Sequence, residues 1–305
     1  MRGGSGSNWK IVGRMAESRF RHSPWKPLIL STIFATQKMQ NRCRLVFVVV
    51  PTLLLTILLA KAYGVQLGNM QADKVLFLGN SITCCEPKYW GLSASSQDKD
   101  FVHLLAAKIE AKTGGTLRLD PISVANKNAD GSYSAGDANI VNIADVFERQ
   151  YATYPNSNRL QNQIAWKPNI VVLQFGENIR TDKFDAVTFK QSLRTLVDDL
   201  KAGSNPEIFI AGYIMGSNAT IDGIKQEICS EDPTHRVFVD LSSVFQNKEN
   251  IGDYDHPSDK GMAAVANLMF NSMVAHATPE PSCAIMSATS LVAVAWFVWM
   301  RKRHS

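Results

Sequence analysis

Ser81, Asn178, Asp253 and His256 are the residues of this 305-residue chain whose types and spacing could together carry out acyl transfer. A serine hydroxyl is a weak nucleophile until an imidazole takes its proton, and the imidazole in turn needs a carboxylate on its other nitrogen. Asp253 and His256, three residues apart in Gly-Asp-Tyr-Asp-His-Pro-Ser, can supply both from one loop. The tetrahedral species formed by such an attack needs donors for its oxyanion, and the amide of Asn178 with the backbone N–H of Ser81 could provide two. Asp255 is adjacent to the histidine and is expected to face solvent. Glu177 is expected either to cap its loop or to meet substrate hydroxyls.

These residues lie far apart in sequence, so a fold must gather them. Residues 75–78, Val-Leu-Phe-Leu, form a short apolar run cut off by Gly79-Asn80, the pattern of a buried parallel strand ending just before Ser81. Residues 169–174, Asn-Ile-Val-Val-Leu-Gln, repeat the pattern and end in Phe175-Gly176-Glu177-Asn178. Further strands are expected over 207–213 and 237–241, and two less distinct ones over 117–124 and 140–146. A Gly/Asn/Asp/Ser-rich insertion, 126–137, separates that last pair. Helical periodicity marks 99–112, 185–201, 221–229 and 259–274, with Gly114-Gly115 closing the first and Gly203 with Pro206 the second. Strands alternating with helices predict an α/β fold, a three-layer α/β/α sandwich on a mostly parallel sheet. In such a sheet the loops after the strands gather at the carboxyl edge, where ligands bind. The loop over 86–98, with Tyr89 and Trp90, is a candidate cleft wall.

The two ends of the chain are unlike its middle. Residues 45–60 are apolar throughout, follow Arg42 and Arg44, and precede small residues at Ala62 and Gly64, an arrangement that resembles a secretory signal cleaved after residue 64. Met39 lies just ahead of the run and is the expected start of translation, with 1–38 an over-extended start. At the other end, Pro279-Glu280-Pro281 precedes an apolar span over 283–300 and Arg301-Lys302-Arg303, the length and basic flank of a transmembrane helix. The tail resembles the PEP-CTERM sorting signal of Gram-negative envelope proteins, which implies export and an exosortase-type processing partner. The expected division is therefore 1–64, an amino-terminal extension and signal; 65–278, one catalytic domain; and 279–305, a sorting and membrane tail. The formal net charge of +5 also belongs to the ends, which hold 13 of the 32 Lys+Arg but 2 of the 27 Asp+Glu. The central segment carries −6, a balance that speaks against binding a phosphate backbone. Its cysteines are Cys84, Cys85 and Cys229; in an oxidising compartment either member of the adjacent pair could bridge to Cys229. Their spacing matches no zinc site, and no cofactor is implied.

Taken together, Gly79-Asn80-Ser81, Gly176-Glu177-Asn178 and Asp253-x-x-His256 resemble three of the four sequence blocks of the SGNH (GDSL-like) hydrolases, in the right order and across the whole central segment. The resemblance implies a flavodoxin-like SGNH hydrolase fold, with Ser81 as nucleophile, His256 as base, Asp253 as its orienter and Ser81 with Asn178 as oxyanion donors. Two positions depart from the pattern. Asn80 stands where the family carries aspartate, and no glycine occurs at 147–149, where the second block would fall. The implied function is that of an exported serine esterase removing acetyl or other small acyl groups, plausibly from carbohydrate, in the periplasm, outer envelope or extracellular matrix. The alternative is a non-catalytic envelope or matrix protein that uses the same fold to bind polysaccharide.

Overall fold

The computed structural model describes residues 65–277 apart from 121, 124, 157, 217 and 254. The expected signal over 45–64, the start at Met39 and the sorting tail from 279 lie outside the described residues. Among the described residues, no helix is long and apolar enough to cross a membrane.

Five parallel strands form the central sheet: β1 (Val75–Gly79), β2 (Ile140–Asn142), β3 (Ile170–Gln174), β4 (Glu207–Ala211) and β5 (Arg236–Val239), in the order β2-β1-β3-β4-β5. This is the doubly wound order in which the chain reverses direction between β1 and β3. Every residue of β1 and β3 is buried, as both faces of a parallel sheet must be when helices cover them. Alternate side chains separate into two cores. Val75 and Phe77 face the layer of α1 (Phe101–Thr113) and α4 (Asp259–His276), whereas Leu76 and Leu78 face that of α2 (Ala186–Ser204) and α3 (Ala219–Ser230). The chain thus has the α/β sandwich that its alternating pattern predicts.

Local chemistry sets where the helices begin. Asp100, Asp185, Asn218 and Ser258 each accept a backbone N–H from the first turn of the helix that follows, satisfying a donor that would otherwise have no partner. Gly114 takes the left-handed conformation that closes α1. Gly203 does not close α2, contrary to expectation. It lies inside the helix, where a Cβ would come within 2.6 Å of the Ile164 carbonyl oxygen, and Asn205 supplies the left-handed cap instead.

The stretch over 117–146 departs further from expectation. Among the described residues of 117–124 no strand forms, and Ser123 makes an isolated bridge to Val141. The following strand is only Ile140–Asn142, because the Asn142 side chain accepts the Ala144 N–H and turns the chain at once. The polar insertion folds into a two-residue hairpin, Asn126–Lys127 against Tyr133–Ser134.

Sheet register positions the site. Gly79 pairs with Gln174 on one side and with Asn142 on the other, so three strand ends finish level and their loops emerge side by side. Gly79 has to be glycine for this turn. A Cβ there would lie 1.8 Å from Thr83 Oγ1 and 2.8 Å from the Gln174 carbonyl oxygen.

Candidate active site

Ser81 sits in a turn built by its neighbour. The Asn80 carbonyl accepts the N–H groups of Thr83 and Cys84, and its side-chain Oδ1 accepts that of Ile82. The Ser81 carbonyl accepts from Leu92, which ties the loop over 86–98 to the turn. His256 approaches from the far end of the chain. Its backbone N–H donates to the Asp253 carbonyl and its carbonyl accepts from Gly252, a tight loop that leads through Pro257 to the Ser258 cap of α4. Across 175 positions of sequence, Ser81 Oγ and His256 Nε2 stand 2.9 Å apart. That distance suits transfer of the serine proton to the ring.

Asp253 lies on the other side of the imidazole, with Oδ1 3.6 Å from Nδ1. This is beyond hydrogen-bond length, and the Asp253 side chain is 58% exposed. The pair is an ion pair in partial contact with solvent when the ring is protonated. Asp255 is exposed.

Asn178 lines a cavity of about 260 Å³ together with Ser81, Asn142, Asp145 and Arg149. Its Oδ1 accepts from the Arg149 guanidinium at 3.0 Å, and its Nδ2 donates to Glu148 Oε2 at 2.8 Å. An arginine cannot accept and a carboxylate cannot donate, so these two partners fix the orientation of the amide. Nδ2 carries a second hydrogen, which remains for a ligand in the cavity. Arg149 is held in turn by Asp145 at 2.6 Å.

Beneath the cavity lies a polar layer that periodicity did not reveal. Glu148, 1% exposed, occupies the segment where a glycine is expected. Oε1 accepts from Asn80 Nδ2, from the Gly176 N–H and, at 3.4 Å, from the Asn178 N–H. Glu177, half-buried, turns toward this layer and accepts from Asn80 Nδ2, Gln174 Nε2 and the Ile214 N–H, partners that reach beyond its own loop, and it is not among the residues that line the cavity. Burial holds the Glu148 carboxyl above the usual range and the Glu177 charge adds to this, while its N–H donors oppose both. Lys225, wholly buried on α3, donates to the carbonyls of Phe175 and Ala211 at 2.6 and 2.8 Å. Burial pushes its ammonium down, and the carboxylates of Glu177, Asp222 and Glu148 push it back. Gly176, at φ +134°, completes the packing, because a Cβ there would come within 3.3 Å of Lys225 Nζ. The sequence signal for this layer is weak: Glu148 follows Val146-Phe147 and Lys225 follows Ile224, but polar and charged residues come directly after each.

Tyr89, Trp90, the other histidines of the domain and its cysteines lie apart from the Ser81–His256 pair or are occupied by other partners. Tyr89 is exposed and Trp90 packs on the α1–α4 core, its Nε1 donating to the Ala94 carbonyl; Cys85 and Glu86 line the cavity in their place. His103 is bound to Asp100 and Gln97 on α1, and His235 and His276 pair with Asp232 and Glu207. Cys84, Cys85 and Cys229 are free. Cys84 packs in the α1–α4 core and Cys229 in the α2–α3 core, so the sheet separates them and the bridge considered from sequence does not form between those two. Burial, with Cys85 and Asp100 nearby, drives the Cys84 thiol far above its ordinary range, and it stays protonated.

No protein-family model matches the chain, and no curated protein matches it significantly. Solved structures do. A carbohydrate esterase family 3 protein from Talaromyces cellulolyticus is 19% identical, with a TM-score of 0.45 over 66% of this chain and 96% of that one. A psychrotrophic esterase from Pseudoalteromonas sp., inhibited by monoethylphosphonate, is 16% identical, with a TM-score of 0.46 over 66% and 96%. A two-domain esterase active on acetylated mannans is 16% identical, with a TM-score of 0.46 over 69% of this chain and 52% of its own.

Proposed function

We propose that this chain is a serine esterase that removes a small acyl group, acetyl above all, from a hydroxyl-rich alcohol such as a carbohydrate. The observation that carries the reading is the 2.9 Å contact between Ser81 Oγ and His256 Nε2 at the carboxyl edge of the sheet. In the proposed reaction His256 takes the Ser81 proton as Oγ attacks the ester carbonyl. The Ser81 N–H and the second Asn178 amide hydrogen receive the oxyanion. As the tetrahedral species collapses, the imidazolium returns its proton to the leaving alcohol and an acyl-serine remains. Water, deprotonated by the same imidazole, then releases the acid. Asp253 steadies the imidazolium. A cavity of about 260 Å³ suits a small acyl group, and the Asn142, Asp145 and Arg149 side chains in its wall suit a polar alcohol.

Purified protein is expected to hydrolyse p-nitrophenyl acetate and to release acetate from acetylated oligosaccharides. Asn178→Ala should lower kcat on the order of 100-fold with a much smaller effect on KM, since the lost donor serves mainly the developing oxyanion. A folded wild-type protein that turns over neither ester would leave the polysaccharide-binding alternative in its place.

The address of the protein is a second part of the proposal and rests on sequence. The signal-like segment over 45–64 and the Pro279-Glu280-Pro281 tail support export to a Gram-negative envelope followed by removal of the tail. Intact-mass measurement in a host with an exosortase-type enzyme is expected to find neither residues 1–64 nor 283–305. Mature protein that retains both apolar segments would instead be an ordinary membrane-anchored chain.

A further inference from the structure

The two departures from the hydrolase pattern, Asn80 and the residue found where a glycine was expected, meet in the structure. Asn80 is completely buried and uses every polar group of its side chain. Oδ1 accepts the Ile82 N–H at 3.0 Å, which shapes the turn that carries Ser81. The two hydrogens of Nδ2 go to different carboxylates, one to Glu148 Oε1 at 3.2 Å and one to Glu177 Oε2 at 2.7 Å. Glu148 then reaches across to the third strand end, where its oxygens hold the Gly176 N–H at 2.5 Å and the Asn178 amide at 2.8 Å.

We propose that Glu148 is a positioning residue of this site, that its carboxylate holds the Asn178 amide in place relative to the Ser81 turn, and that Asn80 and Glu148 form one interdependent pair. The inference rests on the esterase reading for its catalytic consequence, but the pairing itself does not. Donor and acceptor arithmetic gives the reason. An ionised carboxylate only accepts, so two of them can both stay charged in one contact when a group with two hydrogens bridges them, and a side-chain amide is such a group. An aspartate at position 80 could still accept from Ile82. Its second oxygen would face the oxygens of Glu148 and Glu177 at 2.7 to 3.2 Å with no hydrogen between them. Three carboxylates in one largely buried contact cannot all remain ionised without repelling one another. Lys225 is the buried cation of this layer, and both of its hydrogen bonds already go to carbonyls. Glu148 therefore explains why asparagine replaces aspartate here, and Asn80 explains how a buried glutamate is tolerated beside Glu177.

The test is a double-substitution cycle in the full protein with Asn80→Asp, Glu148→Gln and both together, read by kcat and KM for p-nitrophenyl acetate and by thermal melting. Asn80→Asp is expected to lower kcat by about 100-fold or more in the wild-type background, through loss of the turn and the oxyanion donor. In the Glu148→Gln background, where one of the two facing carboxylates is made neutral, the same change should cost no more than about 10-fold. KM should move by less than about 3-fold throughout, as a role in holding transition-state donors requires. Melting temperatures should show the same sign of coupling, with Asn80→Asp lowering the midpoint less when residue 148 is Gln. Equal losses in the two backgrounds, in both readouts, would overturn the pairing. Coupled melting with uncoupled kcat would overturn the positioning role and leave a structural pair. A wild type that is folded but turns over no ester would refute the positioning role together with the esterase reading, while the melting cycle would still decide the pairing.

Discussion

Replacing Ser81 by alanine is expected to lower p-nitrophenyl acetate turnover by at least about 10³-fold while leaving the fold intact, and His256→Ala should cost about as much. The two losses should not add, because each removes the same step: without the hydroxyl there is nothing to deprotonate, and without the ring nothing removes its proton. The hydroxyl is partly exposed and takes no part in the turn, which Asn80 holds through its own carbonyl and side chain. Ser81→Ala therefore removes chemistry and little else, and its melting temperature should match the wild type. Asp253→Asn is expected to be far milder, about 3- to 10-fold in kcat. Its carboxylate stands 3.6 Å from the ring and is largely exposed, so solvent screens the charge it offers. Turnover by Ser81→Ala equal to that of the wild type would place the activity elsewhere in the molecule. A loss for Asp253→Asn as large as that for His256→Ala would mean that Asp253 closes onto the ring when substrate binds.

Lys225→Met is expected to destabilise the protein by about 3 kcal/mol, because the Lys225 ammonium is a buried charge whose partners cannot reach water once it is gone. The methylene stem is retained in methionine, so packing changes little. The carbonyls of Phe175 and Ala211 lose their donor, and the negative charges of Glu148 and Glu177 lose the cation that offsets them. For a domain of this size the loss should lower the melting midpoint by about 6 to 12 °C in calorimetry. Activity should fall as well, since the Phe175 carbonyl lies in the same loop as Asn178. A melting midpoint unchanged in Lys225→Met would show that hydration of the freed carbonyls replaces the ammonium without cost.

The parts of the molecule that the sequence described well are those whose information is local. β1 and β3 are unbroken runs of apolar strand formers stopped by glycine, and a strand buried on both faces leaves no other reading for such a run. The four long helices carry periodic apolar positions and their own capping residues, and both signals act within a few positions of the chain. The convergence of Ser81, Asn178 and His256 on one edge also followed from local features, because strand ends in a right-handed doubly wound sheet share that edge. The described residues of 117–124, and the early end of the strand that begins at Ile140, differ from expectation for the complementary reason. Whether Ser123 joins a ladder, and where β2 stops, depend on the Asn142 side chain and on the partner strand across the sheet, neither of which leaves a periodic trace.

What only the tertiary structure decided is the polar layer under the cavity and the fate of the residues that flank the site. Glu148, Glu177, Asn80 and Lys225 come from four separate segments, and an isolated charge in a sequence looks the same whether it will meet solvent or a buried partner. Glu177 is an example, since its place in a strand-end loop suggests a cap or a substrate contact, and it is Asn80, Gln174 and Ile214, from three places in the sequence, that donate to its oxygens. The separation of Cys84 from Cys229 is another, since the side of the sheet each thiol occupies follows from helix placement and not from spacing. Hydrophobic burial is written along the chain as a period, because each element must present a face, and sequence alone determines the elements for that reason. Satisfaction of buried polar groups is a property of pairs distant in sequence, and the donors and acceptors of this site find each other only after the sheet has brought its strand ends level.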